Sequence, residues 1–126
     1  MAVNAEIVAW HHQAAEALAL ARATPADLEE WRQEVAEGLA QLWQITGESA
    51  GYLLTRVEQD RTGRRELVLV AGAGKNARAV IAWAGELADR HGLDMRTHIE
   101  RRGLERLYQR AGWHRSEIVM RRNHGQ

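Results

Sequence analysis

The 126-residue chain contains no cysteine and no phenylalanine, only one proline, and no excess of either charge: 17 Lys and Arg stand against 17 Asp and Glu. Without cysteine there are no disulfides, no thiolate nucleophile and no cysteine-bound metal. That fits a reducing compartment, and a cytoplasmic location is expected. Balanced charge removes the basic surplus that nucleic-acid binding usually requires, so no nucleic-acid partner is favoured. No apolar run approaches the ~18 residues needed to cross a bilayer. Met1 to Trp10 lack a basic region followed by a long apolar one, so neither a membrane partner nor a signal peptide is expected. The six histidines show no HExxH-like spacing. His11 and His12, adjacent on a helix, would point about 100° apart and chelate poorly. No metal site is expected.

What is present suits one globular domain. The apolar fraction is 45% and the charged fraction 27%, both ordinary for a soluble fold. The zero sum hides an asymmetry. Residues 1–50 set Arg22 and Arg32 against Glu6, Glu16, Asp27, Glu29, Glu30, Glu34, Glu37 and Glu48, whereas residues 96–122 are Arg-rich. Such a dipolar chain can dock on copies of itself or on a charged partner; the alternative is that both sets of charges are solvated surface. Five tryptophans among so few aromatics point the same way, because Trp is enriched at interfaces. Trp10, Trp31 and Trp43 are the candidate contact residues for a protein partner or for self-association through the helical half. Core packing is the alternative role for each.

Hydrophobic periodicity gives the element order. Ile7, Trp10, Ala14, Leu18 and Ala21 recur at three or four residues and predict a helix over 4–22. Thr24-Pro25-Ala26-Asp27 predicts a capped start for a second helix: Thr24 caps, Pro25 takes the first helical position, and Asp27 completes a capping box. Its stripe of Leu28, Trp31, Val35, Leu39, Leu42 and Trp43 carries the helix to about Gln44. From Gly51 the period changes to two. Residues 51–58 and 66–70 predict two strands joined by a turn at 59–64, a hairpin. A third helix is expected from Asn76 to Arg90, with Val80, Ile81, Ala84 and Leu87 buried. A strand over 95–100, a short helix over 104–110 and a last strand from Trp113 to about Arg121 follow. The expected fold class is α/β (α+β), one domain over 1–126, comprising a helical hairpin (1–48), an α/β core (49–121) and a loose tail (122–126).

The order β-β-α-β-α-β from residue 50 onward, with the run Gly103-Leu104-Glu105-Arg106-Leu107-Tyr108-Gln109-Arg110-Ala111-Gly112-Trp113, resembles the core of the GNAT N-acetyltransferase superfamily. That run is similar to the superfamily's common "LY, three residues, GF" ending, with Trp113 as the aromatic. The resemblance covers about residues 50–121 and implies a mixed sheet. Two departures accompany it. The superfamily opens with a strand, whereas this chain is expected to open with helix. Its cofactor loop reads Gln or Arg, two residues, Gly, one residue, then Gly or Ala, while the corresponding run here is Ala73-Gly74-Lys75-Asn76-Ala77-Arg78. Asn76 stands in place of a glycine and Arg78 in place of a small residue. The resemblance is to degenerate members of the kind found among tailed-phage genes.

Several site expectations follow from that resemblance. Gly72, Ala73, Gly74, Lys75, Asn76 and Arg78 form the candidate cofactor-binding loop, where N–H groups at a helix start would meet the pyrophosphate of acetyl-CoA. Tyr108 takes the position of the general acid, and Glu66, at the start of the strand leading to the loop, is the candidate general base acting through water; the alternatives are a packed aromatic for Tyr108 and a solvated strand-start residue for Glu66. The altered loop implies that no cofactor is used and that the protein works through protein contacts, as a phage virion or accessory structural component, in the host cytoplasm or the virion. The alternative is an acetyl-CoA-dependent N-acetyltransferase using those residues.

Overall fold

A computed structural model of the chain describes residues 3–21, 23–97, 110 and 113. Among the described residues three helices and five strands follow one another as β1 (Val3–Val8), α1 (His12–Leu20), α2 (Pro25–Ala36), β2 (Gln41–Gly47), β3 (Ala50–Gln59), β4 (Arg65–Lys75), α3 (Ala77–Arg90) and β5 (Asp94–Thr97). The strands form one mixed sheet in the order β1-β2-β3-β4-β5. Neighbours up to β4 are antiparallel, and β4 with β5 is parallel, bridged by the α3 crossover.

The first half departs from the expectation of two long helices. Residues 3–8 are a strand, paired with β2 from Val3↔Gly47 to Val8↔Leu42. Val3, Ala5 and Ile7 alternate with Asn4 and Glu6, and β-branched residues favour the extended form. Only the later part of the expected stripe is helical, where Ala14 and Leu18 are buried. An opening strand is therefore present.

The second helix keeps its expected start. Thr24 N–H donates to Asp27 Oδ2 at 3.0 Å and Asp27 N–H donates to Thr24 Oγ1 at 3.1 Å, a complete capping box, with Pro25 in the first turn. It ends eight residues earlier than expected, at Ala36 rather than Gln44. Gly38, at φ +78°, turns the chain out of the helix. Leu39 N–H reaches the Glu34 carbonyl at 2.8 Å and Gly38 N–H the Val35 carbonyl at 3.2 Å, the bonding pattern of a Schellman stop. Leu42 and Trp43 thus lie on a strand and face opposite sides of the sheet. The span 1–48 is a strand, two helices and a second strand, not a helical hairpin.

The hairpin of β3 and β4 is as expected but longer, running from Ala50↔Lys75 to Gln59↔Arg65. Two cores sandwich the sheet. Ile45, Leu53, Leu67 and Leu69 meet Ala84 and Ala88 of α3, with Val80, Trp83, Leu87 and Trp113 packed around them. On the other face Leu42 and Leu54 meet Ala14 and Ala40 beneath α1 and α2. Leu18, Leu42 and Leu54 are essentially inaccessible to water, and each such burial contributes about 1.5–3 kcal/mol. The short helix over 104–110, the final strand and the tail lie outside the described residues, apart from Arg110 and Trp113.

Candidate functional site at the end of strand four

The residues expected as a loop, Gly72 to Lys75, are strand. They pair with Leu53 to Ala50 without interruption, so an antiparallel ladder directs alternate N–H groups toward β3. Two glycines allow this. A Cβ on Gly51 would sit against the Ala73 carbonyl and 2.7 Å from Gly74 Cα, and one on Gly74 would be 2.8 Å from Gly51 Cα. Both contacts are closer than real side chains tolerate. The backbones therefore touch where a loop would otherwise have opened.

Only Asn76 joins β4 to α3. It takes the left-handed conformation, φ 56° and ψ 59°, and among the described residues no other non-glycine has positive φ. Asn is the residue that most readily replaces glycine there. Its side chain then folds over the helix start. Oδ1 accepts from Ala79 N–H at 3.4 Å, and Nδ2 donates to the Glu48 carbonyl at 3.1 Å. The Ser49 hydroxyl donates to the Lys75 carbonyl. Ala79 and Val80 N–H groups also bond the Asn76 carbonyl. Among the described residues, the donors left open at the start of α3 are the N–H groups of Ala77 and Arg78. The side chains of Lys75 and Arg78 are exposed.

Further down β4 the register with β3 passes from Leu54↔Ala71 to Thr55↔Leu69, which leaves Val70 as the extra residue of a bulge. The described parallel pairing of β4 with β5 ends at the same level, Leu69↔Thr97. There Thr97 Oγ1 donates to the Leu69 carbonyl at 3.0 Å.

Glu66 lies six residues before Gly72, roughly 20 Å along an extended strand. Its carboxylate belongs to a run of charges across the lower part of the sheet. Glu34 of α2 holds Arg56 at 3.1 Å, Arg56 approaches Glu58 at 3.7 Å, Glu58 holds Arg96 at 3.2 Å, and Arg96 approaches Glu66 at 3.9 Å. The order of residues alone gave no sign of this run, because its members come from four different elements. Tyr108 lies outside the described residues. Trp10 and Trp31 pack half-buried against the α1–α2 core. Trp43, placed on β2 rather than a helix, donates its indole N–H to Thr55 Oγ1 at 2.9 Å and stacks edge-on against Trp83. Among the described residues no three His, Asp or Glu come together as a metal-binding set, and no helix is long and apolar enough to cross a membrane.

The whole described arrangement can be superposed on solved acetyltransferases. A GCN5-related N-acetyltransferase from Ralstonia eutropha matches 98% of this chain and 99% of its own, at 13% identity and a TM-score of 0.65. The fold is a GNAT fold. Glucosamine-6-phosphate N-acetyltransferase from Arabidopsis thaliana matches at 11% identity and TM-score 0.65, covering 96% and 99% of the two chains. Ribosomal-protein-alanine N-acetyltransferase from Brucella melitensis biovar Abortus matches at 15% identity and TM-score 0.64, covering 97% and 100%. No protein-family profile and no curated protein sequence matches the chain. Identities this low carry the fold alone.

Proposed function

We propose that this is a GNAT-fold protein that does not turn over acetyl-CoA and works through protein contacts, as a structural or accessory component of the phage-encoded kind that its sequence resembles. The single observation behind this reading is the Asn76 side chain across the start of α3. A pyrophosphate needs several preorganised N–H donors at one point. Here Gly72 to Lys75 are held in the sheet, Ala79 N–H faces Asn76, and two open N–H groups remain. Charge-assisted hydrogen bonds of this type contribute about 1.5–3 kcal/mol each, so losing two weakens binding by roughly a hundredfold or more. Exposed apolar side chains are consistent with work done at the surface: Leu20 is 88% exposed, and Ile7 and Leu39 are each 60% exposed.

A second reading has its own support. With β1 in place, the described fold overlays that of solved acetyltransferases, and a bulge at Val70 interrupts the β3–β4 register at the level where the described pairing of β4 with β5 stops. Under that reading Gly72, Ala73, Gly74, Lys75, Asn76 and Arg78 would hold acetyl-CoA, with Glu66 as base and Tyr108 as acid. Calorimetric titration with acetyl-CoA separates the two. The native protein should show no micromolar binding, and Asn76→Gly, which keeps the left-handed turn and clears the helix start, should tighten binding about tenfold. Micromolar binding by the native protein together with acetyl transfer to an amine would establish the second reading.

A further inference from the structure

Among the described residues β1 is an outer strand of the sheet and pairs only with β2. Outer strands are normally guarded by a lysine, a proline, a bulge or a covering element, because their free N–H and C=O groups recruit other strands. β1 has no lysine, proline or bulge, and its one charged residue is Glu6. Its sequence is Val3-Asn4-Ala5-Glu6-Ile7-Val8, and its register with β2 has no break. Ile7 is 60% exposed on the face that carries Val3 and Ala5. On the opposite face an open cavity of about 170 Å³ runs along this edge, lined by Asn4, Ala5, Glu6, Gln44 and Thr46.

We infer that this edge pairs with the same edge of a second copy, antiparallel about a two-fold axis through Ala5, to make one sheet continuous across a homodimer. A strand that pairs with its own copy must be complementary to its own reverse. With Ala5 opposite Ala5, Val3 falls opposite Ile7 and Asn4 opposite Glu6, each twice. Residues directly opposite in an antiparallel pair share a face. The Val3–Ile7 pairs therefore fall on the α3 side and cover the exposed Ile7. The Asn4–Glu6 pairs fall on the cavity side, where each Asn4 amide donates to the partner subunit's Glu6 carboxylate. Registers displaced by two residues either way about Asn4 or Glu6 set Asn4 against itself or Glu6 against itself, and the second repels. The pairing uses only backbone and side chains of β1, so it holds whether or not acyl-CoA is bound or turned over.

The register can be tested at one position. Asn4 is exposed, faces neutral Thr46 across the β1–β2 pair and lies about 7 Å along its own strand from Glu6, so charge placed there meets the partner subunit's Glu6, directly opposite at about 5 Å, more closely than its own. Sedimentation equilibrium of the full chain should give a dimer. Asn4→Glu sets two like-charge pairs against Glu6 and should weaken dimerisation by about tenfold or more, whereas Asn4→Lys sets two opposite-charge pairs and should tighten it severalfold. Addition of salt should shrink both shifts. A native protein that stays monomeric at high concentration overturns the inference, as does a dimer that responds equally to both substitutions. A monomer that instead captures an unrelated strand-forming peptide would give this edge a different occupant and equally overturn it.

Discussion

At one end of the β3–β4 hairpin Gly51 and Gly74 bring two backbones into contact, and the Ser49 hydroxyl and the Asn76 amide tie down the carbonyls of Lys75 and Glu48. At the other end the same two strands are held by charge. Arg56, Glu58, Arg96 and Glu66 run across the sheet, Arg64 pairs with Asp94 at 3.1 Å, and Asp60 organises the turn. The glycine end has no spare volume between its two backbones, so it should be intolerant of substitution there, and the loss, being steric, should be indifferent to salt. The charged end has side chains that can rearrange, so it should tolerate substitution and respond to salt and pH. In this fold the rigid end is the one beside the start of α3.

The largest expected effect is at the rigid end. Gly51→Ala or Gly74→Ala should destabilise the protein by about 3 kcal/mol or more, because the new methyl group meets the facing backbone and neither strand can retreat without breaking the ladder. Urea unfolding would show it as a lower midpoint, unchanged between low and high salt. A loss below about 1 kcal/mol would mean that the strands separate before Gly74 and that the loop expected from the sequence exists after all.

The glycines also show what the sequence could and could not convey. A run of Ala-Gly-Ala-Gly before a helix reads as a loop, because glycine usually marks one. Its use here, to let two strands touch, depends on Gly51 lying opposite, which only the register reveals. The β3–β4 pairing, α3 with its buried Ile81 and Ala84, and the capping box at Thr24 were legible because each depends on neighbours close in the chain. Residues 3–8 and 41–47 were not. Their apolar residues fit a period of 3.6 as well as a period of two when joined to the true helices beside them, and long windows favoured the helix. Gly38, between Ala36 and Gln41, carried the missed stop signal. At the candidate site, sequence singled out Asn76, together with Arg78, as a departure from the superfamily's pattern. Its left-handed backbone and its reach to Ala79 and Glu48 needed the fold. The charge run from Glu34 to Glu66 was beyond reach, because four elements contribute to it.

That run supplies the middle-sized effect. Glu34 holds Arg56 from α2, and both side chains are mostly buried, 16% and 27% exposed. Among the described residues Glu34 Oε2 and the Nε atoms of Arg56 and Arg96 have no hydrogen-bond partner, so the network is only partly satisfied. Glu34→Gln should cost about 1 kcal/mol, less than a fully buried pair would lose. About 1 M salt should narrow the gap between variant and native protein. A gap that is the same at both salt concentrations would show that the pair acts through packing, and would erase the contrast with the glycine end.

The smallest effect, and the most specific to the charged end, concerns Asp60. The Thr62 hydroxyl donates to Asp60 Oδ1 at 2.7 Å, the Thr62 N–H at 2.8 Å and the Arg64 N–H at 3.0 Å. These donors, the hydroxyl foremost, hold the carboxyl below the ordinary aspartate range, with the Arg64 charge adding to them. A carboxylate whose folded-state pKa is depressed adds stability that is fully present above its unfolded value of about 3.9 and disappears as pH falls through the lower folded value. Asp60→Asn keeps an accepting oxygen but removes the charge. The variant should therefore unfold at slightly lower urea than the native protein at pH 7, and the two curves should approach each other as pH drops below about 4. Acid effects elsewhere in the chain act on both proteins and cancel in the difference. A gap that persists unchanged at pH 3 would place the contribution of Asp60 in the shape of its turn, and the charged end would then rest on the Glu34-to-Glu66 run and the Arg64–Asp94 pair.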